Sequence, residues 1–112
     1  MPRLDVYVDL KLALKVRLKK ESILLGRGAE CDVQIPNPRV SREHVRIDWR
    51  EEDESYWIEN LSARGARINH LPLVVPTHLN VGDRIYLENY VVIFQVDDAE
   101  PEVLANESTD YA

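Results

Sequence analysis

Residues 38–50 read Pro38-Arg39-Val40-Ser41-Arg42-Glu43-His44-Val45-Arg46-Ile47-Asp48-Trp49-Arg50, and the stretch changes character at its midpoint. From Val45 onward apolar and polar residues alternate: Val45, Ile47 and Trp49 stand against His44, Arg46, Asp48 and Arg50. A period of two is that of a strand with one face buried and the other wet. Before Val45 there is no period, only a proline followed by two arginines, a serine and a histidine. The stretch therefore predicts a donor-rich loop running straight into a half-buried strand.

The same period recurs outward in both directions. Leu12, Leu14, Val16 and Leu18 alternate with Lys11, Ala13, Lys15, Arg17 and Lys19, predicting a second strand with its leucines buried. Leu10, Leu14 and Leu18 also fall at the four-residue spacing of a basic amphipathic helix. The unbroken alternation, with strand patterns on either side, favours the strand. Further strand-like runs are 4–8, 22–25, 55–61, 66–68, 84–88 and 91–96, rich in Val, Ile, Tyr and Trp. Gly26, Gly28, Pro36, Asn37, Pro38, Gly65, Pro72, Pro76 and Gly82 punctuate them as turn formers. Many short strands separated by turns imply an all-β sandwich or barrel.

A chain of 112 residues has room for one core. Six of its 20 acids, Asp97, Asp98, Glu100, Glu102, Glu107 and Asp110, follow Val96, where there is no Lys or Arg. The expected organisation is a domain over residues 1–96 and an acidic, disordered tail over 97–112. Within the tail Thr109 is a hydroxyl in an acidic setting that a kinase can reach. Residues 1–96 hold 14 acids against 14 bases. Such a neutral body lacks the positive field on which nucleic-acid affinity rests, so nucleic acid is not the expected partner. The lone Cys31 has no internal disulfide partner, and the N-terminus lacks a charged n-region followed by an apolar h-region. Both point to the cytoplasm. No run approaches the roughly 18 uninterrupted apolar residues of a membrane span.

Candidate functional residues sit in three loops. In Leu25-Gly26-Arg27-Gly28 an arginine lies between glycines just after an apolar run. Glycine allows close backbone approach, and a guanidinium presents planar donors suited to phosphate. No third glycine or helical pattern follows, as a dinucleotide or P-loop site requires. In the second loop, Ser41 and His44 suggest a nucleophile and base, but no third group or oxyanion hole accompanies them. His44 is better placed to hydrogen-bond backbone and hold the loop that presents Ser41. His70, His78 and Cys31 are too scattered for metal spacing, so no metal or cofactor is expected. The third loop, from Asn60 to Asn69, combines Arg64 and Arg67 with a turn at Gly65.

Gly26-Arg27, then Ser41-x-x-His44, then a Ser62-x-x-Gly65 turn ending in Ile68-Asn69 resembles the forkhead-associated (FHA) domain family. The resemblance runs from about Leu4 to Val96, and Leu79-x-x-Gly82-Asp83 resembles the family's C-terminal region. It implies a sandwich of two mainly antiparallel sheets, with loops at one end receiving a phosphothreonine peptide. By the same resemblance Arg27 and Ser41 contact the phosphate and Arg42 adds a further contact, while Gly26, His44 and Gly65 shape and support the loops. The chain would then be a monomeric, non-enzymatic binding module whose partner is a protein phosphorylated by a Ser/Thr kinase. It departs from the family in the third loop, where a Thr-Asn-Gly triplet is usual and this chain has Ala63-Arg64-Gly65. Arginine only donates, whereas asparagine donates and accepts, so Arg64 would read an acidic residue or a second phosphate of the ligand. The alternative is a degenerate FHA domain that binds proteins without phosphate.

Overall fold

Val45–Arg50 forms a strand in the computed structural model, and its partners on either side build one of two sheets. Residues 2–96 are described. Among them lie β1 (Pro2–Val8), β2 (Lys11–Arg17), β3 (Ser22–Gly26), β4 (Val33–Gln34), β5 (Val45–Arg50), β6 (Ser55–Asn60), β7 (Arg67–Ile68), β8 (Leu71–Pro72), β9 (Thr77–His78), β10 (Arg84–Leu87) and β11 (Tyr90–Val96). One sheet has six strands in the order β2-β1-β11-β10-β7-β8; the other has five in the order β4-β3-β5-β6-β9. Pairing is antiparallel except for the short β3–β4 contact. The fold is the expected all-β sandwich. The two-residue strands β4, β8 and β9 are too short to show a period, and the sequence did not reveal them.

Alternation determines what lies between the sheets. Leu4 and Val6 of β1, Ile85 and Leu87 of β10, and Val92 and Phe94 of β11 face Ile23 and Leu25 of β3, Val45 and Ile47 of β5, and Ile58 of β6. All are buried, and each such side chain contributes roughly 1.5–3 kcal/mol relative to exposure. Two expectations need correction. Leu12 and Leu14 are not buried; each is 47% exposed. Strand β2 is the free edge of the six-stranded sheet, and a bulge shifts its register between Val6↔Leu14 and Tyr7↔Leu12. Trp49 is only half-buried, since it ends the in-facing row of β5 and packs edge-on against Tyr56 with ring centroids 5.0 Å apart.

The strand directions gather the loops. The end of β3, the start of β5 and the end of β6 meet through Leu25↔Val45 and Val45↔Asn60, so residues 27–44 and 61–66 emerge together. The β1–β2 and β10–β11 turns join the same end. Asn37 Nδ2 donates to Asn89 Oδ1 at 2.8 Å, and Asp9 N–H donates to Asn89 O at 3.2 Å. No helix among the described residues is long and apolar enough to cross a membrane. The expected tail, Thr109 included, lies outside the described residues.

Candidate functional site

Arg27 follows the last residue of β3, where the backbone continues into the second loop. Arg27 N–H donates to Ser41 O at 2.9 Å and Gly28 N–H to Arg42 O at 3.0 Å. Only glycine permits this approach at residue 26: a Cβ there would lie 2.8 Å from Ser41 O and 2.9 Å from the carbonyl carbon of Arg42. The Arg27 side chain is then oriented by Nε, which donates to Val40 O at 2.9 Å. Its Nη groups have no partner among the described residues, and the side chain is exposed. A guanidinium pinned through Nε with its outer donors free is pre-set for an anion.

Ser41 is held from below by His44, which is 2% exposed. Ser41 N–H donates to His44 Nδ1 at 3.0 Å, so that nitrogen carries no proton. The proton sits on Nε2, which donates to Gly65 O at 2.7 Å. Both ring nitrogens are committed to backbone, and neither is available as a base toward Ser41 Oγ. Gly65 is in the left-handed region (φ 79°), where it closes the tight turn from Ser62 O. One imidazole thus joins the second loop to the third.

Ser62, buried beside this joint, belongs to the site although the sequence reading gave it only a place in the turn pattern. Its Oγ lies 2.5 Å from Ser41 Oγ and accepts Arg64 N–H at 3.0 Å. With Ser62 as donor to Ser41, the hydroxyl hydrogen of Ser41 is left free to point outward. The chain from Arg64 N–H through Ser62 to Ser41 then polarises the terminal donor, each bond strengthening the next. Asn60 fixes Ser62 by both amide atoms, donating to its carbonyl at 2.8 Å and accepting its N–H at 3.2 Å. The only sequence signal for this arrangement was two short polar residues flanking Leu61.

The other predicted side chains stand at the rim. Arg42 is exposed and lies 3.4 Å from Glu30, a long surface pair that contributes little and is readily exchanged for another anion. Arg64 is exposed over a shallow groove it shares with Arg67, Tyr86 and Glu88. Arg27, Ser41, Ser62 and the two rim arginines therefore surround one end of the sandwich. Cys31 donates from Sγ to Arg42 O at 2.9 Å; burial raises its pKa, against a lowering by the Gly28 backbone. Among the described residues no three His, Cys, Asp or Glu side chains are grouped to hold a metal.

The FHA domain family model matches residues 23–88, more than half of the chain, and the protein belongs to that family. The E3 ubiquitin-protein ligase CHFR of Xenopus tropicalis is 35% identical over 89 residues, covering 77% of this chain and 13% of the relative. The proliferation marker protein Ki-67 of Mus musculus is 34% identical over 68 residues, covering 61% of this chain and 2% of Ki-67. The chain thus spans a small fraction of the curated relatives it matches. Among solved structures, an FHA domain from work on phosphothreonine-dependent FHA domain interactions superposes with a TM-score of 0.72 at 26% identity, covering 85% of this chain and 97% of that one. The FhaA FHA domain, complexed with the intracellular domain of Rv3910, superposes with a TM-score of 0.73 at 27% identity, covering 85% and 100%.

Proposed function

We propose that this domain binds a phosphothreonine-bearing segment of a protein partner, a product of a Ser/Thr kinase, and carries out no chemistry of its own. The observation that carries the reading is the tie between Arg27 and the Ser41 loop: the Arg27 N–H donates to Ser41 O, its Nε donates to Val40 O, and its Nη donors have no partner among the described residues. A phosphate dianion placed there receives charge-assisted bonds from Arg27 and Ser41, with Arg42 swinging from Glu30 to add a third. Each is worth about 1.5–3 kcal/mol. Two or three of them, after the cost of ordering a flexible peptide, give binding near the micromolar range, about −8 kcal/mol.

Gly26, His44 and Gly65 act by shaping the pocket. His44 spends both ring nitrogens on backbone, which supports binding over catalysis as its role. One observation favours a second reading, protein binding without phosphate: Arg64 occupies the place of an amide able to clamp the ligand's main chain and offers only donors. Anisotropy titration with phosphothreonine peptides, their unphosphorylated forms and phosphoserine controls separates the two. Phosphothreonine-selective binding lost in Arg27→Ala is expected. Equal binding of unphosphorylated peptides would leave the second reading.

A further inference from the structure

The outer face of the six-stranded sheet departs from the polar pattern expected of a solvent face. Register places Leu12, Tyr7, Val91 and Tyr86 side by side across β2, β1, β11 and β10, and the row ends on Arg67 of β7. The Arg67 guanidinium lies over the Tyr86 ring, 5.2 Å from its centroid. A depression among Tyr7, Leu10, Tyr86 and Val91 continues the row at the loop end of the sheet.

Leu10 is an independent sign that this face is used. It stands with Asp9 in the two-residue β1–β2 turn, where both residues have positive φ, 49° and 71°. Such turns favour Asn-Gly or Asp-Gly, because a side chain with a Cβ is disfavoured there. Here the second position carries a leucine that is 92% exposed, so its side chain adds nothing to the core. A large apolar group held in an unfavourable conformation and presented to water has the character of a contact residue.

The face is continuous with the loops described above. The groove shared by Arg64 and Arg67 starts at Gly65, whose carbonyl His44 holds, and passes to Tyr86. Asn89, at the turn beside Val91, is tied to Asn37 of the second loop and to Asp9 beside Leu10. Arg64, Arg67 and Arg84 give the apolar row a border of three guanidiniums, none in an ion pair among the described residues, against the single carboxylate of Glu88 in the groove. A second copy would bring a like-charged border against it.

We propose that this face is a second docking surface for the same phosphorylated partner. It takes an acidic side chain or second phosphate on Arg64 and Arg67, and a bulky apolar residue on Tyr86, Val91, Tyr7 and Leu10. The inference rests on the phosphothreonine reading only in that one partner occupies both places. Specificity then comes from the pair of contacts, with the phosphate supplying charge and the outer face selecting the flanking sequence.

The test uses fluorescent phosphothreonine peptides with alanine flanks, matched peptides carrying an Asp-Leu-Phe block at varied distances on either side, and the unphosphorylated forms of both. The best block should tighten binding about tenfold. Leu10→Gly and Arg67→Ala should remove that gain while leaving the alanine-flanked peptide unchanged, and Leu10→Gly should also raise the melting temperature. Blocks without effect, or a gain that survives both variants, overturn the docking surface and leave phosphothreonine binding standing. Block binding that needs Leu10 and ignores phosphate keeps the surface and overturns the phosphate reading. Self-association that Leu10→Gly abolishes, or a gain that appears only after removal of residues 97–112, would put a second copy or the chain's own tail on this face and overturn the assignment of its occupant.

Discussion

His44 Nε2 donates to Gly65 O at 2.7 Å, tying the second loop to the third through a single buried imidazole whose Nδ1 accepts the N–H of Ser41. The two loops that surround the proposed phosphate position are therefore not independent. Truncation of His44 leaves a buried carbonyl and a buried N–H without partners as well as a cavity. His44→Ala is expected to lower stability by about 2–4 kcal/mol in urea denaturation and to abolish phosphopeptide binding in conditions where the variant is still folded.

Ser62 is expected to matter for affinity more than for folding. Ser62→Ala removes the acceptor of Arg64 N–H and the hydroxyl partner of Ser41 Oγ. The prediction is a stability loss of about 1 kcal/mol and a three- to tenfold weaker phosphopeptide dissociation constant, measured by calorimetry.

The glycines on either side of Arg27 should respond differently. Gly26→Ala drives a methyl group into the backbone carbonyls of Ser41 and Arg42, which cannot move without breaking the Arg27 and Gly28 bonds. At Gly28 the atoms nearest a methyl are the carboxylate end of Glu30, a flexible exposed side chain. Thermal melts should show Gly26→Ala destabilised by about 2 kcal/mol or more and Gly28→Ala by much less.

Acid stability carries a signature of Asp32. Its pKa is lowered first by the hydrogen bond from Lys20 Nζ at 2.7 Å and then by that from Leu24 N–H at 2.9 Å. A depressed folded pKa contributes stability above the unfolded value, near pH 4, and loses it as pH falls through the folded value. Asp32→Asn should therefore flatten the acid limb of the stability profile as pH falls below about 4, and high salt should shrink the difference, because the pair is exposed.

The sequence made the fold legible wherever strands were long enough to alternate. Val45–Arg50 was read from its period and residues 91–96 from their Val and Ile content, while Gly26, Ser41 and His44 were singled out by the spacing of the family pattern. Four features escaped. The exposure of Leu12 and Leu14 depends on β2 being an edge strand and on a bulge, and neither leaves a trace in local pattern. The short strands β4, β8 and β9 are fixed by their neighbours. Ser62 looked like turn chemistry because its role arises only where the third loop meets Ser41, 21 residues earlier in the chain. The outer-face row of Tyr7, Val91 and Tyr86 likewise appears only once register is known.

That Arg27 and Ser41 receive a phosphate is tested by titrating a phosphothreonine peptide and its dephosphorylated twin into nitrogen-15-labelled domain. Saturable shifts are expected at Arg27 Nε–H and at the Ser41, Ser62 and Arg64 amides with the phosphopeptide alone, all lost in Arg27→Ala. Shifts of equal size with the dephosphorylated twin, or shifts confined to residues away from these loops, would contradict it.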